Sequence, residues 1–166
     1  MQKPGYRALR QGRHSECGQI YLVTTATRSR RKYFHNIEIA ERACHLISLP
    51  ELWYPSQCLC WVLMPDHWHG LVSLGEETLP RLMQRFKGTL SRKLSADLGK
   101  HGPLWSKGFH DRALRRDESM LAAARYIIAN SVRARLVDSI EDYPYWDISL
   151  THDRRELLDI ASHSRD

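Results

Sequence analysis

Cysteine is scarce and irregularly placed: four in 166 residues, at positions 17, 44, 58 and 60. That fits reduced thiols better than a disulfide framework, so a cytoplasmic protein is expected. Long apolar runs are also missing. The longest, residues 58–64, falls far short of the roughly 20 residues a membrane-spanning helix needs, and no membrane is expected among the partners. The opening MQKPGYRALRQGRHSECG is charged where a signal peptide would be apolar, which argues against export. There is no internal repeat and no low-complexity linker. With 42% hydrophobic and 27% charged residues, the chain supports one hydrophobic core and hence a single domain over 1–166. Within it, residues 1–17 read as a basic arm and 143–166 as a tail outside the pattern.

What is abundant is positive charge, and it is segregated. The 25 Lys+Arg exceed 19 Asp+Glu, for a net charge of +6 and a pI near 9.3. Residues 1–34 hold eight Lys/Arg against one acid and 81–116 hold ten against two, whereas 35–80 hold one against six. Cations stand beside aromatics in Arg28, Arg30, Arg31, Lys32, Tyr33 and Phe34, and again in Trp105, Lys107, Phe109, His110 and Arg112. Such clusters suit a phosphate backbone with bases to stack on. Charge alone equally suits a solvated basic surface.

Local patterns divide the chain into elements. Residues 20–27 are β-branched and read as a strand, and 35–49 have helical spacing stopped by Pro50. Residues 57–64 and 67–74 form two strands joined by the Pro65-Asp66 turn. Thr78 can cap a helix whose apolar stripe runs from Leu79 to Leu98, with Gly99 as its stop and a basic outer face. A strand near 109–114 and a helix from an Asp117 cap to about Val132 follow. This order predicts an α+β fold, an antiparallel sheet flanked by helices.

In MPDHWHGLV, His67 and His69 lie at i and i+2 of a strand, so both project from one face and Trp68 from the other. Two imidazoles on one face can bind one metal ion, although paired strand histidines are more often surface or hydrogen-bonded core groups. Cys58 and Cys60, placed by alternation on one face of the preceding strand, offer a zinc alternative. Cys-x-Cys lacks the usual spacer, and its apolar neighbours favour inert buried thiols. In RYIIANSV, Tyr126 and Asn130 are four apart and share a helix face, with the Asn130 carbonyl available as a third ligand. Alone, they also fit a rim tyrosine and a residue that weakens a helix end.

Together with GQIYLVTTATRSRRKYF, WVLMPDHWHGLV, LPRLMQRFKGTLSRKL, LWSKGFHDRAL and RYIIANSVRARLV followed by DYPYW, these residues resemble a known family over most of the chain. It is that of the His-hydrophobic-His (HUH) single-strand nucleases and transposases with one catalytic tyrosine, specifically the REP-associated tyrosine transposases. The resemblance implies a ferredoxin-like, RRM-like palm. It implies Tyr126 as nucleophile and His67, His69 and Asn130 as ligands of a divalent cation, Mg²⁺ or Mn²⁺. It further implies nicking of single-stranded DNA and strand transfer at hairpin-forming REP-like repeats through a 5′-phosphotyrosine. Arg81, Arg85, Lys87, Arg92 and Lys93 then become candidate DNA contacts, with Lys107, His110 and Arg112 next. Ser131 and Arg135 stand where the family commonly has proline and glycine. A monomer is expected, with a dimer open. Two other functions remain: a non-catalytic module that binds structured nucleic acid, and a metal-dependent phosphodiesterase that uses water.

Overall fold

A computed structural model describes residues 15–99 and 102–149. Most of the expected basic arm and the tail from residue 150 lie outside the described residues. The chain runs β1 (Ile20–Ala26), α1 (Ile37–Ile47), α2 (Pro50–Trp53), β2 (Gln57–Met64), β3 (His67–Ser73), α3 (Leu79–Lys93), α4 (Ser95–Leu98), β4 (His110–Ala113), α5 (Met120–Ile128), α6 (Asn130–Arg133) and β5 (Trp146–Ile148). The strands form one sheet in the order β4-β1-β3-β2-β5, every neighbouring pair antiparallel. β3 lies between β1 and β2, with α1 crossing over from one to the other, and α3 makes the second crossover to β4. This is the expected ferredoxin-like palm, extended by β5 as an edge strand.

Strand alternation divides the side chains between two faces. On one, Val23, Leu63, Trp68 and Val72 meet Ala40, Ala43 and Ile47 of α1 and Leu82, Phe86 and Leu90 of α3 in a closed core. Trp68 lies 5.7 Å from Trp53 and 4.7 Å from Phe86 between ring centroids. Its indole covers Gly70, where an added Cβ would overlap the ring, so this strand position requires glycine. Phe34 and Trp105 join the same core, 5.8 Å apart. Both had been expected to stack bases. Burial takes them out of reach of DNA, because an aromatic flanked by cations in sequence still faces inward when its backbone does.

On the other face, Leu22, Cys60, Val62 and Leu71 pack beneath Ala124, Ile127 and Ile128 of α5, and Ile140, Tyr143 and Trp146 seal the β5 side. The Tyr143 hydroxyl donates to the Leu63 carbonyl at 2.7 Å. Several helix boundaries differ from expectation. Pro50 opens α2 instead of only ending α1, because its fixed φ suits a first helical turn. Thr78 caps α3 as expected, but the helix breaks at Leu94 before α4. The cap of α5 is Ser119, whose side chain accepts from Ala122 N at 3.2 Å, and not Asp117.

Candidate active site

β3 carries Trp68 into the closed core, which forces His67 and His69 onto the opposite face. Their rings lie 4.7 Å apart at 83°. Asp66 Oδ1 sits 2.5 Å from Nδ1 of His67, and Thr24 Oγ1 sits 2.8 Å from Nδ1 of His69, directly across the ladder. With both Nδ1 atoms engaged, each ring keeps Nε2 for a ligand, the usual way an outer partner orients a metal-binding imidazole. Burial, followed by His67, Arg133 and Arg30, pushes the pKa of His69 down to about 3. It is therefore neutral at physiological pH, the form that ligates a metal. Asp66 is tied in turn to the end of β1: its carbonyl accepts from Thr27 N at 2.9 Å and Thr27 Oγ1 at 3.0 Å. Its other carboxylate oxygen faces Arg30 Nη1 at 3.6 Å. Among the described residues, no three His, Cys, Asp or Glu side chains group to hold a metal. An ion on this pair would complete its shell with an amide, water or substrate oxygen.

The zinc alternative does not survive the sheet register. Cys58 pairs with Val72 and Cys60 with Leu71, so Leu59 is an extra residue that bulges the strand. The bulge sends Cys58 to the closed core and Cys60 to the other face beneath α5. The two cysteines do not share a face, and burial raises the pKa of both thiols.

Tyr126 is 61% exposed on α5, and Asn130 opens α6 one turn later. Asn130 Nδ2 donates to the Ile127 carbonyl at 3.0 Å. Sequence reasoning missed Arg133, which links these residues. Its Nη2 donates to Asn130 Oδ1 at 2.7 Å and to the Tyr126 carbonyl at 2.8 Å, and its guanidinium lies 3.8 Å above the Tyr126 ring centroid. The available signal was the spacing 126, 130, 133, one face of a helix. Thr24, Asp66 and Arg30 were missed as well, because each reaches the histidines across the sheet or from a turn. At the end of α6, the departures from the family pattern are accommodated. Leu136 N donates to the Ser131 carbonyl at 3.0 Å and Arg135 N to the Val132 carbonyl at 2.9 Å. Arg135 takes the left-handed conformation, φ 55°, that glycine usually supplies there.

The candidate DNA contacts separate into two groups. Arg81, Arg92, Lys93, Lys107 and His110 are exposed. Three others have protein partners: Arg85 and Lys87 are half-buried, and Arg112 is exposed in a surface ion pair. Arg85 donates to Glu77 Oε2 at 2.6 Å and Oε1 at 2.8 Å, and to the Leu52 and Trp53 carbonyls, each at 3.1 Å. Lys87 Nζ holds the carbonyls of Ser106 at 2.6 Å and Gly108 at 2.8 Å. Arg112 Nη1 pairs with both oxygens of Glu118 at 2.8 Å. Folding supplies these three with protein partners that the linear sequence does not reveal. α3 packs on the closed face, so its cations lie across the sheet from Tyr126. Along its outer side runs a shallow groove of about 370 Å³ lined by Arg81, Gln84, Arg85, Gly88, Thr89 and Arg92, so Arg85 faces it while bonded to Glu77. His110 instead shares a row with Thr24 and His69 on the histidine face.

A family model for IS200-like transposases matches residues 17–130, a span that contains His67, His69, Tyr126 and Asn130. Among solved structures, the chain is similar to a REP-associated tyrosine transposase bound to a REP hairpin. That match has 18% identity and a TM-score of 0.63, covering 86% of this chain and 93% of that one. It is also similar to a candidate transposase from Deinococcus radiodurans R1, at 19% identity and a TM-score of 0.53, covering 80% and 96%. A comparison with curated proteins finds no match. The two structural likenesses carry the fold, and the family model extends over more than half of the sequence: this chain belongs to the IS200-like transposase family.

Proposed function

We propose that this transposase nicks single-stranded DNA through Tyr126 at hairpin-forming, REP-like repeats and transfers the cut strand. One observation carries the proposal. An exposed tyrosine on the helix that covers the histidine face is linked through Arg133 to Asn130, and that face carries an imidazole pair whose Nδ1 atoms are already engaged. The donor set fits a divalent cation such as Mn²⁺ or Mg²⁺: two imidazole nitrogens held by His67 and His69, with the Asn130 amide oxygen as third ligand. Such an ion supplies Lewis-acid neutralisation of a nonbridging phosphate oxygen.

The Tyr126 oxygen attacks phosphorus, and its proton passes to solvent, to which the side chain is open. The bond from phosphorus to the 3′ oxygen breaks, and that oxygen takes up a proton and leaves as a 3′-hydroxyl. The 5′ phosphate stays on Tyr126. Because the phosphotyrosine keeps the bond energy, a free 3′-hydroxyl can reverse the step without ATP. Arg81, Arg92 and Lys93 bind backbone phosphates of the hairpin, with His110, on the histidine face, nearer the cut strand and Lys107 as a further contact. Arg85, Lys87 and Arg112 act indirectly, by holding loops. The tyrosine helix packs on the histidine face of its own chain, and we take a monomer as the acting unit. Among the described residues, no helix is long and apolar enough to cross a membrane.

The test is incubation with a single-stranded hairpin substrate and Mn²⁺ or Mg²⁺, followed by denaturing electrophoresis. A covalent protein-DNA adduct is expected, lost in Tyr126→Phe, with His67→Ala binding DNA but not cutting it. Unchanged cutting by Tyr126→Phe would instead favour water as nucleophile. Tight binding without cutting under either metal would favour a binding module.

A further inference from the structure

Arg133 competes for an atom that the proposed chemistry needs. Its Nη2 occupies Asn130 Oδ1 at 2.7 Å, the oxygen offered above as the third ligand. A guanidinium and a divalent cation on one amide oxygen repel each other, so both are not held there at full strength. The same nitrogen holds the Tyr126 carbonyl at 2.8 Å, and the guanidinium covers the tyrosine ring. Arg133 thus clasps a ligand residue and the nucleophile at once. None of its observed partners is a carboxylate: one is an amide oxygen, one a backbone carbonyl and one an aromatic ring, each weaker than an anion as a partner for a guanidinium.

A second arginine approaches the histidines from elsewhere. Arg30 is 63% exposed at its side chain and reaches Asp66 across 3.6 Å from the turn after β1. Asp66, bonded to His67, brings Arg30 to one side of the imidazole pair, and Arg133 ends α6, which packs with α5 on the same face. The imidazole pair therefore has cations nearby from two separate elements, an arrangement suited to an incoming anion. A phosphodiester is the anion that this family's substrate presents, and it pairs with guanidinium in a bidentate fashion.

We propose that Arg133 is a positioning residue that exchanges partners: without DNA it holds Asn130 and Tyr126 and weakens divalent-cation binding, and with DNA it moves to the phosphodiester and frees Asn130. The inference rests on the reading of His67, His69 and Asn130 as ligands. It makes ion and DNA binding mutually reinforcing, since whatever displaces Arg133 from Asn130 raises affinity for the ion, and the coupling is reciprocal.

The experiment measures Mn²⁺ affinity by calorimetry with and without a hairpin oligonucleotide, in a Tyr126→Phe background so that nothing is cut. Added Arg133→Ala should bind Mn²⁺ without DNA about tenfold more tightly, within the range typical of site-to-site coupling, and the hairpin should no longer tighten it. Arg133→Met, which keeps the stem over the ring but lacks the donors, should behave the same way. With Tyr126 restored, adduct formation should fall in both variants. A merely structural role would weaken Mn²⁺ binding and cutting together. Unchanged or weaker Mn²⁺ affinity in folded Arg133→Ala and Arg133→Met would overturn the exchange. If His67→Ala binds Mn²⁺ as well as the parent does, the ligand reading itself fails and takes the exchange with it. Loss of Mn²⁺ in His67→Ala with no gain in the Arg133 variants removes the exchange alone.

Discussion

The two faces of the sheet are made by the same strands and are covered differently. The closed face lies under α1 and α3 and holds Trp68, Phe86 and Leu82, all fully buried. The histidine face is covered by α5, which leaves His67 and His69 half-buried and Tyr126 exposed. β3 contributes to both, with Trp68 between the two histidines. What holds the strand that carries the imidazoles is therefore packing on the side away from them, while Thr24 and Asp66 orient the rings. Positioning and chemistry are separated by one residue of alternation, so substitutions on the two faces should have different signatures.

Trp68→Ala tests this most severely. Removing a buried tryptophan costs about 3–5 kcal/mol, readable as a lower urea midpoint, and the loosened strand should also lose its Mn²⁺ affinity. His67→Ala, on the other face, should change stability by less than about 1 kcal/mol while abolishing Mn²⁺ binding. Equal destabilisation by the two substitutions would break the comparison.

Within the basic helix the contrast is between Arg85 and Arg92. Arg85→Ala strands Glu77, whose side chain is only 5% exposed, and should cost about 2 kcal/mol, less than for a fully buried pair because the arginine is partly solvated. Burial raises the Glu77 pKa, but hydrogen bonds from Arg85 and Ser56, with the Arg85 charge, hold it below the usual carboxylate range. That contribution is present at neutral pH and lost as pH falls through the depressed value, so acid unfolding of Arg85→Ala should lack this segment. Arg92→Ala should leave stability unchanged and reduce the salt dependence of hairpin binding by roughly one phosphate contact, a slope change of about 0.9.

Legibility in the sequence followed the range of the deciding contact. β2 and the Thr78 cap were readable because their signals are local, and so was the shared face of His67 and His69. β5 was not, since Trp146–Ile148 becomes a strand only by pairing with β2, far back in the chain. The bulge at Leu59 leaves no mark in an apolar run, and one extra residue is enough to reverse the assignment of Cys58. The partners of Arg85 were not readable, because the carbonyls of Leu52 and Trp53 become its neighbours only after folding. Arg133 lay within the right spacing, but an arginine on a helix surface carries no local sign that it is holding other groups.

A smaller change sharpens the histidine side. Thr24→Val is nearly isosteric and removes the hydroxyl beside His69 Nδ1. Loss of such an outer partner typically lowers metal affinity about 10- to 100-fold, so calorimetry should show weaker Mn²⁺ binding with an almost unchanged melting temperature. Unaltered affinity would mean that packing, and not this hydrogen bond, orients the ring.

The smallest effect is expected just beyond the tyrosine helix, at a residue that belongs to neither face. Arg135 sits at φ 55°, with the Leu136 N to Ser131 carbonyl bond of 3.0 Å closing the turn around it. A side chain in this left-handed region costs roughly 1–2 kcal/mol, whereas glycine adopts it freely but gives up about 0.5–1 kcal/mol through the greater freedom of the unfolded chain. The balance favours Arg135→Gly by about 0.5–1 kcal/mol, equivalent to a rise of roughly 1–4 °C in melting temperature for a chain of this size. Mn²⁺ affinity and adduct formation should stay the same, because the turn closes through backbone groups and Arg133 keeps its partners. A lower melting temperature would show that the Arg135 side chain contributes more than its backbone conformation costs, while altered Mn²⁺ affinity would place the helix end, as well as Arg133, in control of Asn130.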